Sequence, residues 1–310
     1  MAATAPPVTF QDRWSWWIEG GAIHMDGDPG VAGLNNPPFD VLPADFGGEG
    51  ALGFDYRFGT SGWLMGVQLR FGWIGDGSAS NNPVASFIGT GAAPVVVAGT
   101  NSAERHELHW VADFMVGRDL GLGQGQTVAK FGVRVAEIRG TTKGTAQWNN
   151  VAVTTGVSCS TAPSYCGSEV RYYTQRSQFI GAGPRLEIDG TIPLGNAWSF
   201  QYMAGVAGLY GRRKLTQDVT ITHPTVPTFT SPAVLQTGGP IYGRSSSHDF
   251  ILNVDAMLGL AVPINPNATF LISYRFDGYW NALRGYDENG NLTSLDRFFH
   301  GPMIRFTVTN

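Results

Sequence analysis

The sequence predicts an all-β fold, a transmembrane antiparallel up-and-down β-barrel of about ten strands, built as one domain over residues 1–310. Three observations carry this. The first is strict alternation over His248–Trp280, on both arms of a Pro/Asn turn. Phe250, Leu252, Val254, Ala256, Leu258, Leu260 and Val262 fall on one face of the first arm, opposite Asp249, Asn253, Asp255 and Gly259. On the second arm Phe270, Ile272, Tyr274, Phe276 and Trp280 oppose Ser273, Arg275, Asp277 and Tyr279. Successive strand side chains point to opposite sides, so each arm has an oily face and a wet one. The second is length: the arms exceed the roughly 5–6 residues of an ordinary strand and reach the roughly 9–11 that cross a bilayer at a tilt. Aromatic residues near their ends match an interfacial girdle. The third is composition. The chain is 14% charged and 12% aromatic with 42 glycines, and it has no run of about 18 apolar residues. With no spanning helix, only a closed barrel satisfies every backbone N–H and C=O in hydrocarbon.

Taken in order, Trp14–Met25 is the first strand, with Trp14, Trp16 and Ile18 on one face and Ser15 and Glu19 on the other. Gly50–Phe58 and Trp63–Ile74 follow, joined by a Gly-Thr-Ser-Gly turn; Trp63, Met65, Val67, Leu69, Phe71 and Trp73 oppose Gly66, Gln68, Arg70 and Gly72. In Glu104–Arg118, Leu108, Trp110, Ala112, Phe114 and Val116 oppose Glu107, His109, Asp113 and Met115. In Val128–Arg139, Ala129, Phe131, Val133 and Val135 oppose Lys130, Gly132 and Arg134; parity then slips near Ala136–Ile138, which predicts a bulge that keeps Glu137 out of lipid.

Val170–Asp189 places Ile180, Ala182, Leu186 and Ile188 against Arg185, Glu187 and Asp189. Trp198–Gly211 turns Trp198, Phe200, Tyr202, Val206 and Tyr210 outward, the two arms of the opening hairpin come next, and Phe298–Val308 closes the set. Long segments follow odd-numbered strands and short turns follow even-numbered ones. That pattern predicts extracellular loops over 26–47, 77–102, 149–168, 216–245 and 285–295, with both termini periplasmic.

Cys159 and Cys166 lie close together in a polar Gly/Ser/Thr/Pro segment, which suggests a local disulfide and an oxidising compartment. The start, MAATAPP, reads as a mature end with an added Met, the signal peptide having been removed. A net charge of −4 with dispersed Lys and Arg argues against a nucleic-acid partner. The expected partners are outer-membrane lipid and lipopolysaccharide together with small polar solutes or ions, with an oligomer allowed.

The inner faces collect opposite charges: Asp55, Arg57, Arg70, Asp113, Lys130, Arg134, Arg185, Glu187, Asp255, Arg275, Asp277 and Arg305. Such a ladder either pairs internally and plugs the lumen or lines a narrow water-filled passage whose charge sets selectivity. As pore-lining residues we expect Arg70, Asp113, Lys130, Arg134, Arg185, Glu187, Asp255, Arg275, Asp277 and Arg305.

From Phe179 the chain reads FIGAGPRLEIDGTIPLGNAWSFQYMAGVAGLYG. Its G-x-G-P-R strand, D-G turn with Pro-Leu-Gly-Asn, and Gly/Ala-rich strand ending Leu-Tyr-Gly resemble the Legionella-type major outer membrane protein family of pore-forming barrels. The resemblance is weaker over Phe54–Arg70 and in the last strand, which ends Phe306-Thr-Val-Thr-Asn310 without a terminal aromatic. It implies a porin-like or surface-exposed outer-membrane protein, and passive diffusion of small solutes is the expected function. A surface adhesin or structural barrel with a plugged lumen is the alternative.

A barrel enzyme, omptin-like or lipid-acting, is a further one. His248 and Asp249 are adjacent in a strand and face opposite ways, and in the RHELH cluster only Glu107 and His109 share a face. A Gly-x-Ser-x-Gly elbow and a phosphate loop are both missing. No catalytic residue, metal ligand or cofactor is therefore expected.

Overall fold

The computed structural model describes residues 13–28, 30–32, 39–41, 46–59, 62–81, 84–87, 95–121, 126–152, 166–195, 197–222, 238–286 and 292–310. Ten long strands form the wall: β1 (Arg13–Gly27), β4 (Phe46–Arg57), β5 (Trp63–Asn81), β7 (Val95–Asp119), β8 (Gln126–Ala152), β9 (Cys166–Gly195), β10 (Trp198–Thr222), β11 (Gly238–Asn265), β12 (Ala268–Tyr286) and β13 (Leu292–Thr309). Three short strands, β2 (Gly30–Ala32), β3 (Phe39–Val41) and β6 (Val84–Phe87), decorate it. Each long strand pairs antiparallel with its neighbour in sequence. The circle closes between the first and last strands, with Ser15 opposite Thr309 and Ile18 opposite Phe306. Closure leaves no unpaired edge within the apolar belt, which is what a barrel in hydrocarbon requires.

The wall is apolar on the outside. Ile18, Leu52, Leu69, Phe71, Phe114, Leu186, Leu258, Ile272 and Ile304 are all exposed there. Trp63 and Trp198 ring the end of the four short turns, and Trp73, Tyr210 and Phe250 stand towards the other end, all exposed. Charged side chains of the same strands turn inward: Arg70, Asp113, Arg134 and Asp255 are buried. Two aromatic rings around an oily belt are the outer surface of a transmembrane barrel of the outer-membrane type. The first and last strands begin and end at the short-turn end, where the Asn310 amide donates to the Trp14 carbonyl.

Two expectations about the strands are corrected. The strands do not stop where the alternation stops. β9 runs for 30 residues and β8 for 27, and the segments expected as loops at 77–102, 149–168 and 216–245 are partly strand. At about 3.3 Å per residue β9 is roughly 100 Å long, far more than a bilayer core of about 30 Å needs. Beyond the belt the outer face meets water, and the buried inward positions are a mixture of polar and apolar residues such as Thr142, Gln175, Leu215 and Gln217, so no apolar alternation is selected. Cross-strand pairing of the backbone still satisfies N–H and C=O, and it keeps register from Gly140↔Ser177 to Trp148↔Glu169.

Nor is there a bulge at Ala136–Ile138. β7 and β8 stay in register through Val111↔Ala136, Trp110↔Glu137 and His109↔Ile138. Glu137 stays on the outer face, where it accepts from Trp110 Nε1 at 2.8 Å, Arg139 Nη2 at 2.7 Å and Gln178 Nε2 at 2.7 Å. Three donors satisfy the carboxylate locally, so it does not have to leave the surface. The sequence pattern slips because the inner face itself turns apolar at this level, with Ala136 and Ile138 fully buried. Cys159 lies outside the described residues, and with it the expected Cys159–Cys166 bridge; Cys166 opens β9, its backbone opposite Ala152.

Candidate functional site

Inward parity on nine of the ten long strands brings charged residues together in one layer of the lumen. Arg134 of β8 and Asp113 of β7 face each other across one register pair. They form a two-pronged contact, Nε to Oδ1 at 2.7 Å and Nη2 to Oδ2 at 2.6 Å. The same guanidinium reaches across the lumen to β11, donating to the Asn253 side-chain oxygen and to Asp255 Oδ1 at 3.3 Å. Arg185 of β9 grips Asp255 with both prongs, at 2.5 and 2.8 Å, and also donates to Glu187. Charged, forked bonds of this kind are the strongest side-chain hydrogen bonds available.

β12 and its neighbours complete the ring. Asp277 accepts from Asn253 Nδ2 at 2.6 Å and from the Tyr279 hydroxyl at 3.1 Å. Arg70 Nη1 stands 3.0 Å from Asp277 Oδ2, but none of its nitrogens has an aligned acceptor, so it is the least well held cation of the layer. Arg275 Nη1 lies 2.6 Å from Glu19 Oε1 and 3.1 Å from Glu49 Oε1, and His109 Nε2 meets Glu49 Oε2 at 2.8 Å. Arg305 Nε donates to Glu19 Oε2 at 2.8 Å. β10 contributes no side chain here and contributes space instead. A Cβ on Gly205 would come within 2.7 Å of both Arg185 Nη2 and Asp255 Oδ1.

The layer is closed to bulk solvent. Asp113, Arg134 and Asp255 are 0% exposed, Arg70, Arg185 and Asp277 1% and Arg275 2%. Four guanidiniums, Arg70, Arg134, Arg185 and Arg275, face four carboxylates, Glu49, Asp113, Asp255 and Asp277, and at the margin Glu19 and Glu187 are matched by Arg305 and Lys130. Formal charge thus balances where the low dielectric would make an unpaired ion very costly.

On the long-strand side a second, dry layer lies directly against it. Ile23, Met25, Ile74, Val111, Ile138, Phe179, Leu209, Ile251, Tyr279, Leu283, Leu295 and Phe299 form one buried cluster. The β12 register shift between Tyr279 and Leu283, with Asn281 at φ 59, accompanies full burial of Tyr279, Ala282 and Leu283. Higher still, Glu107 is held by Arg105 Nε at 2.8 Å and by Arg297 Nε at 2.9 Å. Beyond the belt, Arg213 donates to Asp249 at 2.8 Å and to the Asn281 carbonyl at 2.7 Å. The hydrogen bond from Arg213, helped by Ser247 and Arg284, pulls the Asp249 carboxyl down to about 2.

The ten expected lining residues therefore separate into two groups. Arg70, Asp113, Arg134, Arg185, Asp255 and Asp277 fill the cross-section instead of bordering an opening. Lys130, Glu187, Arg275 and Arg305 border a cavity of about 280 Å³ on the short-turn side, with Trp17, Asp55 and Gln68. It continues into a second cavity of about 230 Å³ that shares Asp55, Gln126 and Lys130 and reaches Arg13 and Arg57. Lys130 Nζ lies 3.1 Å from Glu187 and 3.2 Å from Asp189, at the floor of this vestibule.

Glu49 and the apolar layer were not singled out from sequence, and Glu19 and Asn253 were placed on the wet faces of their strands without being counted among the lining residues. Glu19 and Glu49 stand alone as charges in Gly-rich, apolar stretches, and their inward parity was the available signal. The weighed rim residues do not meet as a catalytic couple. His248 is exposed on the outer face while Asp249 turns inward, and Glu107 and His109 are committed to separate buried partners.

No family model matches the sequence, and no curated protein does. Among solved structures the chain is similar to the outer membrane protease OmpT from Escherichia coli. That likeness has 11% identity over 96% of this chain and 97% of that one, with a TM-score of 0.50. It also aligns with a major outer membrane protein from Thermus thermophilus at 13% identity, over 97% and 100% of the two chains, with a TM-score of 0.31. The toluene transporter TodX of P. putida aligns at 6% identity over 99% and 90%, with a TM-score of 0.25. The first likeness shows a shared barrel fold. At such identities no residue's role transfers, and the two looser superpositions carry no argument.

Proposed function

We propose that this protein is a closed-lumen barrel of the outer membrane that anchors and displays its long strand extensions at the cell surface, in contact with lipid and lipopolysaccharide. In this reading the short turns and both chain ends face the periplasm, and the protein is not an enzyme. The resemblance of Phe179–Gly211 to the Legionella-type family agrees with a surface-exposed barrel. The single observation that carries the reading is the filled cross-section, in which seven charged residues from six strands are at most 2% exposed. A hydrated ion has no path through side chains that pack against each other and against a dry layer. What remains for function is the part beyond the belt, where paired strands hold recognition loops on a rigid scaffold.

The expected pore stays as a second reading because one observation favours it. Lys130, Glu187 and Arg305 do border the vestibule, half of a passage that a rearranged network would complete. Single-channel recording in planar bilayers separates the two. The closed-lumen reading expects no unitary current steps from the purified barrel and no swelling of loaded liposomes. Reproducible steps whose reversal potential changes in Lys130→Gln would overturn it in favour of the pore.

A further inference from the structure

The closure seam carries a group of side chains that neither reading uses. His24 and Asp26 of β1 and His300 of β13 stand together on the outer wall, and His24 and His300 are direct register partners. The group sits at the long-strand end of the belt, with the His24 ring 4.8 Å from that of Phe46. One ligand atom from each residue can be chosen so that all three lie within 4.8 Å of one another. Asp26 Oδ2 is 2.9 Å from His300 Nε2, and Asp26 Oδ1 is 3.5 Å from His24 Nδ1. A tetrahedral zinc ion with bonds of about 2.0–2.1 Å has ligand atoms about 3.3–3.4 Å apart. Each imidazole therefore already has one oxygen of the carboxylate within a few tenths of an ångström of that spacing, and the three ligand atoms would draw in from within 4.8 Å of one another on binding.

Two further observations point to a cation. His24 Nδ1 is shielded from solvent and has no hydrogen-bond partner, an orphaned polar atom aimed at the carboxylate. Tyr274 supports His300 from behind, its hydroxyl 2.6 Å from Nδ1. Metal-bound imidazoles are commonly held this way by a group on the other ring nitrogen.

We propose that His24, Asp26 and His300 bind one divalent transition-metal ion of the zinc class, joining the first and last strands of the barrel. Two imidazoles and a carboxylate suit zinc and its neighbours; magnesium and calcium prefer all-oxygen shells. Three protein ligands leave a fourth position to water or to a phosphate oxygen from a lipid headgroup. Without metal, His300 Nε2–H donates to Asp26 and the Tyr274 hydroxyl donates to Nδ1. On binding, the imidazole proton moves to Nδ1 and donates to the Tyr274 oxygen, so Nε2 gains a free lone pair with no net proton change at the ring.

The test uses untagged full-length protein folded in detergent micelles, with folding of each variant checked by heat-modifiable gel migration. Cobalt(II) is titrated first and read by its visible d–d absorption, then displaced with zinc. We expect one equivalent of cobalt bound, displacement by zinc but not by magnesium, and a rise in unfolding temperature with zinc. Binding should weaken at least tenfold in His24→Gln and in His300→Gln, and stay as in the wild type in the control His248→Gln. Equal binding in all three variants, no saturable binding by the wild type, or displacement by magnesium would overturn the assignment.

Discussion

Replacing Asp255 by alanine should be among the most damaging single changes in the barrel. Its carboxylate accepts from both prongs of Arg185, at 2.5 and 2.8 Å, and stands 3.3 and 3.5 Å from Arg134. The three side chains are at most 1% exposed, so the change leaves two guanidiniums short of a counter-charge where water cannot reach them. Breaking a buried ion pair from one side costs about 3–5 kcal/mol. At about 1.4 kcal/mol per tenfold this is roughly two to four powers of ten in the unfolding equilibrium.

Asp255→Asn keeps the shape but points an amide N–H at a cation, and should lose nearly as much. Adding Arg185→Met to Asp255→Ala removes one of the stranded charges, so the double variant should be more stable than the sum of the singles by at least about 1 kcal/mol. Equilibrium urea unfolding in phospholipid vesicles, followed by the fluorescence of the nine tryptophans, measures the wild type and the four variants. A loss under about 1 kcal/mol for Asp255→Ala, additive with Arg185→Met, would refute the reasoning that the network is a dry, charge-balanced plug.

Three other perturbations address the wall and the rim. Leu258→Arg puts a cation on an outer-face position that is 56% exposed near the middle of the belt. It should cost about 2–4 kcal/mol in the same unfolding assay, and an unchanged midpoint would place Leu258 away from the acyl chains. Gly183→Ala would bring a Cβ within 1.8 Å of the Gly208 carbonyl oxygen on the neighbouring strand, so the backbone must shift. A loss of about 1–3 kcal/mol is expected, and a neutral result would show that β9 and β10 yield easily there. Asp249 titrates low in the fold, at about 2, because of the Arg213 hydrogen bond. A depressed carboxyl stabilises above its unfolded value and loses that contribution as pH falls through the folded one. Protection of the Arg213–Asn281 contact in hydrogen exchange should accordingly hold at neutral pH and fall between about pH 4 and pH 2. Asp249→Asn should abolish that pH dependence, and a dependence that survives in this variant would assign it to another group.

The alternation of Phe250 to Val262 against Asp249, Asn253 and Asp255, together with the length of the arms and the lack of an apolar run long enough for a spanning helix, decided that this chain is a barrel with its oily face outward. A period of two then fixes the face of every residue once one is placed. The short turns decided that neighbours in sequence are neighbours in the wall. Which charge meets which did not follow. Arg134 and Asp255 lie on strands far apart in the wall and meet only across the lumen, so their contact depends on tilt and curvature that no local pattern encodes. Ala136 and Ile138 misled for a related reason. They look out of phase unless one knows that the interior becomes dry just above the ionic layer, which only the convergence of the other strands at that height decides. The extended strands beyond the belt left no trace either, since their buried inner positions mix polar with apolar residues, as at Gln175, Leu215 and Gln217, and give no periodic signal. Asp26 and His300 come together from positions 274 residues apart because the chain closes on itself. Sequence order sets each strand's two faces, while closure sets what every face finds opposite it.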